Sequence, residues 1–316
     1  MERCQSNTKV GGVDVGKHRL DAAVHGQPQG VAVANTAAGF GELIGWLHAR
    51  QVGRVGLEAT GGYERGVRLA LEAAGFEVVV HQPLEVRLFA QLKRRRAKTD
   101  ALDAHLIAAA TAQVDTVRAA QDRRLVELSE RLTAYEHLSG RIVQEKTFKE
   151  SLTLPDLIAL SQAQIDALEQ GKKALKEQIV QAIKAHEDLS ARFDLLMSLP
   201  GVGPVVAASL VIRMPELGSM KPGQAASLLG VAPFDRRSGK WIGQAFISGG
   251  RGRPRRMVYM AALQARCCCP SLKAFAQRLL AKGKGGKVVI VAVMRKLIEA
   301  ANLVLQRGQP WVKQPA

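Results

Sequence analysis

Aromatic residues are scarce: Phe, Trp and Tyr make up 4% of the 316 residues. Strands of β-sandwiches and propellers use aromatics freely, so the scarcity argues against those architectures. Cysteine is scarcer still, limited to Cys4 and the consecutive Cys267, Cys268 and Cys269. Adjacent thiols wrap a tetrahedral metal poorly, and no CxxC pair or histidine stands at ligand spacing. Reduced thiols in a cytoplasmic protein are expected, and the Cys267 to Cys269 run has no assigned role. No apolar run approaches the ~20 residues that span a bilayer. Met1 to Asn7 also lack the apolar stretch of a signal peptide, so no membrane partner is expected. Acidic charge is in short supply too: 28 Asp and Glu face 45 Lys and Arg, a net charge of +17.

What is present is apolar side chain, 47% of the chain, enough to bury real cores on a length that suits two or three units. The excess positive charge points to a polyanionic partner, with nucleic acid the first candidate. Composition divides the chain at 1–116, 117–194 and 195–316. In the first segment Lys9 to Val15, His18 to Val24 and Gly30 to Ala34 read as strands, and Phe40 to His48 as an amphipathic helix. Arg54 to Glu58 reads as a fourth strand, and Tyr63 to Ala74 as a helix closed by Gly75. Phe76 to Val80 is a fifth strand, apolar enough to be buried on both faces. A last helix starts at Thr99 or Asp100. That element order is the order of ribonuclease H-like folds.

In the second segment glycine is sparse and strand signals vanish. Leu125, Leu128, Leu132, Leu138 and Ile142 mark one helix; Leu157, Leu160, Ile165, Leu168, Leu175, Ile179 and Ile183 mark another after the break at Pro155. The pattern suits a helical hairpin or coiled coil, serving as a spacer or as a dimerisation arm. The third segment reads as mostly helical and very basic. It opens with Leu199-Pro200-Gly201-Val202-Gly203, a turn resembling that of helix-hairpin-helix modules. Gly201 and Gly203 there would serve either packing or close approach of backbone amides to a phosphate.

Three constellations carry chemistry. Asp14 lies near the end of the first strand and Glu58 ends the fourth, while Asp100 and Asp103 share a face of the last helix at i, i+3. In a ribonuclease H-like fold the first and fourth strands lie side by side, so these carboxylates would converge. Convergent carboxylates repel unless cations compensate, and oxygen-only ligation favours Mg²⁺. His105, two positions past Asp103, falls on roughly the opposite side of the helix and reads as a packing or surface histidine. The second constellation is the basic run Lys93, Arg94, Arg95, Arg96 and Lys98, either a solvated face or a clamp on a phosphate backbone. The third is Arg236-Arg237-Ser238-Gly239-Lys240, where cations would stabilise the phosphorane formed by a serine nucleophile. Ser248, followed by Arg251 and Arg253, is a second candidate of the same kind, and Lys282, Lys284 and Lys287 add a flexible cationic loop. The chemistry of these residues leaves the choice between Ser238 and Ser248 open.

The segments Val13-Asp14-Val15-Gly16-Lys17, Leu57-Glu58-Ala59-Thr60-Gly61 and Lys98-Thr99-Asp100-Ala101-Leu102-Asp103-Ala104 resemble the signature of the DEDD-type insertion-sequence transposases, which are related to Piv-type DNA invertases. Leu199 to Gly203, Gly230-Val231-Ala232-Pro233, Arg237 to Lys240 and Ile247-Ser248 resemble the second domain of the same family, in the expected order. The resemblance implies a RuvC-like Mg²⁺ domain holding Asp14, Glu58, Asp100 and Asp103, and a transposase domain whose nucleophile falls on Ser238 with Ser248 as a supporting phosphate contact. It further implies recombination of double-stranded DNA through a covalent phosphoserine, guided by an element-encoded RNA. Assembly is expected to be a homo-oligomer, a dimer or tetramer, in the nucleoid of the cytoplasm. Two other readings stand beside it: a metal-dependent Holliday-junction nuclease using water as nucleophile, and a nucleic-acid-binding scaffold. An actin-like ATPase is disfavoured, because Lys17 stands where its phosphate loop would want a hydroxyl.

Overall fold

The structure is a computed structural model that describes residues 9–93, 100–115, 122–234, 237–238, 241–243 and 245–312. Alternating apolar residues in the first third build a mixed five-stranded sheet. β1 (Lys9–Val15), β2 (Arg19–Val24) and β3 (Gly30–Ala34) form an antiparallel meander. β4 (Val52–Glu58) and β5 (Glu77–His81) extend it in parallel, giving the order β3-β2-β1-β4-β5.

α1 (Ala37–Ala49) and α2 (Glu64–Ala73) make the crossovers. The Thr36 side-chain oxygen starts α1 by accepting the Gly39 amide. Gly75, at φ +88°, terminates α2 in the left-handed conformation that a Cβ would penalise. Val13, Leu20, Val55 and Leu57 from the strands form one buried cluster with Leu43, Leu47, Val67 and Leu71 from these helices. α3 (Pro83–Leu92) and α4 (Asp100–Thr111) follow β5. α3 is absent from the sequence-based expectation. Its only buried residue is Val86, while Leu84, Leu88 and Leu92 are exposed at four-residue spacing, so its apolar stripe is not a core face.

The chain divides into two compact units, 1–121 and 122–316. In the second, α5 (Arg123–Glu150) and α6 (Pro155–Lys184) form an antiparallel hairpin. Lys149 bonds Gln162, Lys146 bonds Glu169 and Arg131 bonds Gln178, partners that step in opposite directions along the two helices. Leu128, Leu132, Ile179 and Ile183, away from the hairpin turn, share a core with the helices that follow. Those helices are α7 (Glu187–Met197), α8 (Pro204–Arg213), α9 (Gln224–Leu229), α10 (Gly252–Cys268), α11 (Pro270–Ala281) and α12 (Gly286–Arg307). α12 is the central one: Val289, Ile290, Val293, Met294, Leu297, Ile298 and Ala301 are buried at helical spacing. Between α9 and α10 in the chain lie two short ribbons, β6 (Pro233–Phe234) with β9 (Phe246–Ile247) and β7 (Arg237–Ser238) with β8 (Trp241–Ile242). No helix among the described residues is long and apolar enough to cross a membrane.

Candidate functional site

Two glycines decide where α4 lies. A Cβ on Gly12 would fall on the Ala108 amide nitrogen and the Ala104 carbonyl oxygen; a Cβ on Gly56 would fall on Thr111 Oγ1. Gly12 and Gly56 are register partners in β1 and β4, so α4 crosses both strands on the face opposite α1 and α2. Arg54, two residues before Gly56, donates 2.7 Å to the Val114 carbonyl beyond the end of α4. The helix therefore runs against the strand direction, with its N-terminal end toward the C-terminal ends of β1 and β4.

Strand alternation then fixes which side chains share that face. Asp14 follows Gly12 by two and Glu58 follows Gly56 by two, so both point to the α4 side just past the glycines. Asp14 pairs in register with Asp21 of β2, and Glu58 with His81 of β5. The result is a transverse row across four strands: Asp21, Asp14, Glu58, His81. Asp103, half-buried on α4, belongs to the same end of the helix as Asp100, its first residue. The side chain of Asp100 lies outside the described residues.

Asp21 and His81 are members that sequence reasoning missed. Asp21 is 8% exposed and takes a forked contact from Arg19, with Nε 3.0 Å from Oδ2 and Nη2 2.8 Å from Oδ1. His81 is buried, and its Nε2 lies 2.8 Å from Thr111 Oγ1, which itself donates to the Ile107 carbonyl. That hydroxyl spends its proton on Ile107, so His81 Nε2 is the donor to it. Burial pushes the His81 pKa down, with partial opposition from the Glu85 carboxylate. The only signal in sequence for either residue is a polar side chain adjoining apolar ones in a strand.

The loops at this end are tied together. Asn35 Nδ2 donates 2.9 Å to the Gly16 carbonyl and 3.3 Å to that of Tyr63, linking the turn after Asp14 to the loop after Glu58. Within that loop the Glu64 carboxylate accepts the Thr60 amide at 3.1 Å, the Gly62 amide at 2.8 Å and the Thr60 hydroxyl at 3.3 Å. Burial raises its pKa, but the backbone and hydroxyl hydrogen bonds outweigh burial and hold it below the ordinary glutamate value. Gly61 and Gly62, at φ +76° and +120°, make this amide-lined turn.

An all-carboxylate set of Asp14, Glu58, Asp100 and Asp103 is in kind a donor set for a hard divalent cation. Among the described residues, which do not include the Asp100 side chain, no three His, Cys, Asp or Glu side chains are grouped closely enough to hold a metal ion.

In the second unit Ser238 sits in the β7–β8 ribbon, paired with Trp241 as Arg237 pairs with Ile242. Arg94, Arg95, Arg96, Lys98, Arg236 and Lys240 lie outside the described residues. Ser248 is exposed in a loop clamped to the end of α9: Arg255 donates to the Gly230 and Gly249 carbonyls, and the Arg251 amide to that of Leu228. The Arg251 guanidinium is engaged by Glu216, at 2.7 Å, and by the Arg213 carbonyl, at 2.6 Å. Arg253 donates 2.6 Å to Thr133 and lies 3.8 Å from Glu136, which also takes Arg213. Gly201, at φ +74°, presses on α10, where a Cβ would stand 2.7 Å from the Ala265 nitrogen; that glycine has a packing reason of its own. Gly203 is the N-cap of α8 with open space around it. Lys93, Lys282, Lys284 and Lys287 are exposed.

Residues 11–152 match the family model of the IS110 DEDD transposase, and residues 193–277 match that of the transposase IS116/IS110/IS902 family. Between them the two models span more than two thirds of the chain. The chain belongs to the IS110 family of transposases. The pilin gene-inverting proteins of Moraxella bovis and Moraxella lacunata are each 27% identical to the transposase over 314 residues, covering 96% of this chain and 97% of theirs. A solved structure titled T. thermophilus RuvC in complex with Holliday junction substrate is 17% identical over 35% of this chain and 99% of that one, with a TM-score of 0.30. The transposase is a DNA-acting enzyme, and its two matched segments separate the constellations: the four carboxylates fall in the first, and Ser238, Ser248, Arg251 and Arg253 in the second.

Proposed function

We propose that this transposase cuts and rejoins double-stranded DNA through a serine-linked intermediate. In this reading Asp14, Glu58, Asp100 and Asp103 hold divalent cations, Mg²⁺ by the hardness of their oxygens. A bound Mg²⁺ supplies polarisation of a phosphoryl oxygen and neutralisation of the charge gathering there. The Ser238 hydroxyl attacks phosphorus: a new Oγ–P bond forms, the bond from phosphorus to one deoxyribose oxygen breaks, and that oxygen leaves as a hydroxyl. Attack by the hydroxyl of a second strand reverses the step and returns the serine. One phosphodiester is exchanged for another, so strand exchange needs no energy-rich cofactor.

The observation that carries the reading is the register of Gly12 and Gly56 beneath α4. It supports convergence of Asp14, Glu58 and the Asp100 and Asp103 helix end at one edge of the sheet. The polypeptide relatives named for inverting a pilin gene support DNA inversion or transposition as the outcome. The net charge of +17 supports both duplex DNA and a guide RNA as partners. A homo-oligomer is the proposed working form. Its support is the distal end of the α5–α6 hairpin, where Val143, Phe148, Leu154, Leu157 and Leu160 are exposed.

The test is a pair of variants on supercoiled substrate carrying the element ends, supplied with RNA from its flanks. Ser238→Ala is expected to abolish both the covalent protein–DNA adduct and strand exchange, and Asp14→Asn to abolish cleavage while duplex binding survives. Cleavage that continues in Ser238→Ala would transfer the chemistry to water. Recombination that survives Asp14→Asn would make the carboxylates structural.

A further inference from the structure

We propose that the second unit holds a pocket for one unpaired nucleotide, walled by α11, α12 and the segment that follows α12. It rests on the nucleic-acid reading above but not on the assignment of Ser238 or the carboxylates. A cavity of about 490 Å³ opens between these elements, within the range of small-ligand pockets. Its floor is apolar, built by Leu199 and Pro200 at the turn before α8. Phe275 and Trp311 add aromatic surface, and Arg278 and Lys296 add two cations that both lie against the Phe275 ring, at 5.6 and 4.7 Å from its centroid.

The wall bearing Trp311 is fixed rather than draped. The Ser198 hydroxyl donates to the Leu195 carbonyl at 2.6 Å and accepts the Trp311 backbone amide at 2.8 Å. Yet the indole Nε1 of Trp311 is buried with no hydrogen-bond partner among the described residues. An indole N–H is a donor only, and leaving it unsatisfied is costly, so a turn of the indole that brought it to an acceptor in the cavity would be favoured. Aromatic surface and paired cations are the complement of a nucleobase and an adjoining phosphate. A purely apolar ligand would leave both charges unused, and a duplex would not offer an unstacked base.

The test uses the full chain at fixed salt and single-stranded 12-mers with one central 2-aminopurine, in deoxyribo and ribo forms, beside a 30-base-pair duplex. Binding of either 12-mer is expected to change 2-aminopurine emission saturably, and the tighter of the two identifies the source of the nucleotide. Trp311→Leu is expected to weaken that binding about tenfold, a stacking-sized loss. Lys296→Gln, an exposed position where folding is not at risk, should weaken it about threefold to fivefold. Duplex affinity should change less than about twofold in both variants. Equal loss in Lys273→Gln, exposed on α11 outside the cavity, would reduce the effect to general charge and overturn the pocket. Unchanged 12-mer affinity in Lys296→Gln and Trp311→Leu would overturn it too. Duplex binding without 12-mer binding defeats the pocket alone, whereas absence of both defeats the nucleic-acid reading beneath it.

Discussion

Gly12 and Gly56 stand as register partners in β1 and β4, and the same helix rests on both. What each meets is different. Above Gly12 lies α4 backbone at Ala104 and Ala108; above Gly56 lies the hydroxyl of Thr111. A methyl group on Gly12 must lift the helix, because backbone has no rotamer to give. Gly12→Ala is therefore expected to cost about 1–3 kcal/mol or more and to lower the melting temperature by several degrees. Gly56→Ala should cost a comparable amount but be partly rescued by Thr111→Ala, while Ala108→Gly should not rescue Gly12→Ala. Thermal unfolding of the four single variants and the two doubles checks this. Full independence of the Gly56 and Thr111 substitutions would show that the contact does not position α4.

Glu64 gives a pH dependence with a definite sign. Its folded pKa is held below the ordinary glutamate value of 4.5 because hydrogen bonds from its own amide, Gly62, Thr60 and the Thr60 hydroxyl outweigh burial. A depressed carboxylate contributes stability that is fully present above the unfolded pKa and lost as pH falls through the folded one. Glu64→Gln is expected to cost about 1 kcal/mol at pH 7, and the gap to the parent chain should narrow below pH 4.5 and close beneath the folded pKa. Denaturant titrations at pH 7 and pH 4 read both values. A gap that stays constant with pH would mean that the charge on Glu64 is immaterial to the loop.

How much of this was legible before the structure divides along local and non-local lines. The strands were legible because alternation is a local property, and β1 to β5 begin and end within two residues of the runs read from sequence. Gly75 was legible for the same reason. α3 was not read, although Leu84, Leu88 and Leu92 recur at the four-residue spacing of a helix; the stripe faces outward and Val86 alone is buried. The two-residue strands β6 to β9 are shorter than any period. At the site, Asp14 and Glu58 stood out as polar residues ending strands, but Asp21 and His81 join them only through register, which pairs residues far apart in the chain. Asn35 and Thr111 act through hydrogen bonds to residues far off in the chain, and no spacing rule announces such a bond.

The basic residues of the second unit should separate into two classes. Arg251 is committed to Glu216 and the Arg213 carbonyl, so Arg251→Ala is expected to lower stability by about 1 kcal/mol through the half-buried partners it abandons. Lys282, Lys284 and Lys287 are exposed around the turn before α12. Replacing all three with Gln should leave the unfolding midpoint unchanged. Duplex binding should weaken, with a shallower salt slope, by about 0.9 for each phosphate contact removed. Salt titrations of affinity beside thermal melts distinguish the classes. A stability loss in the lysine variant, or a changed salt slope without destabilisation in Arg251→Ala, would reverse the assignment.

The far end of the α5–α6 hairpin carries apolar side chains that fold no core. Phe148 is 55% exposed and Leu160 58%, on opposite sides of the Ser151 to Leu154 turn. Covering such side chains gains about 1.5–3 kcal/mol each, whereas leaving them in water gains nothing, so a second copy of the hairpin is the occupant proposed here. Because both positions are exposed, charge there does not threaten the fold. Phe148→Glu with Leu160→Glu is expected to keep the helical circular dichroism and melting temperature of the dilute chain. The mass measured by light scattering should fall toward one chain, and strand exchange should fall with it. A variant that keeps the parent's mass places the contact between copies elsewhere, and one that becomes monomeric yet recombines at full rate removes the oligomer from the mechanism.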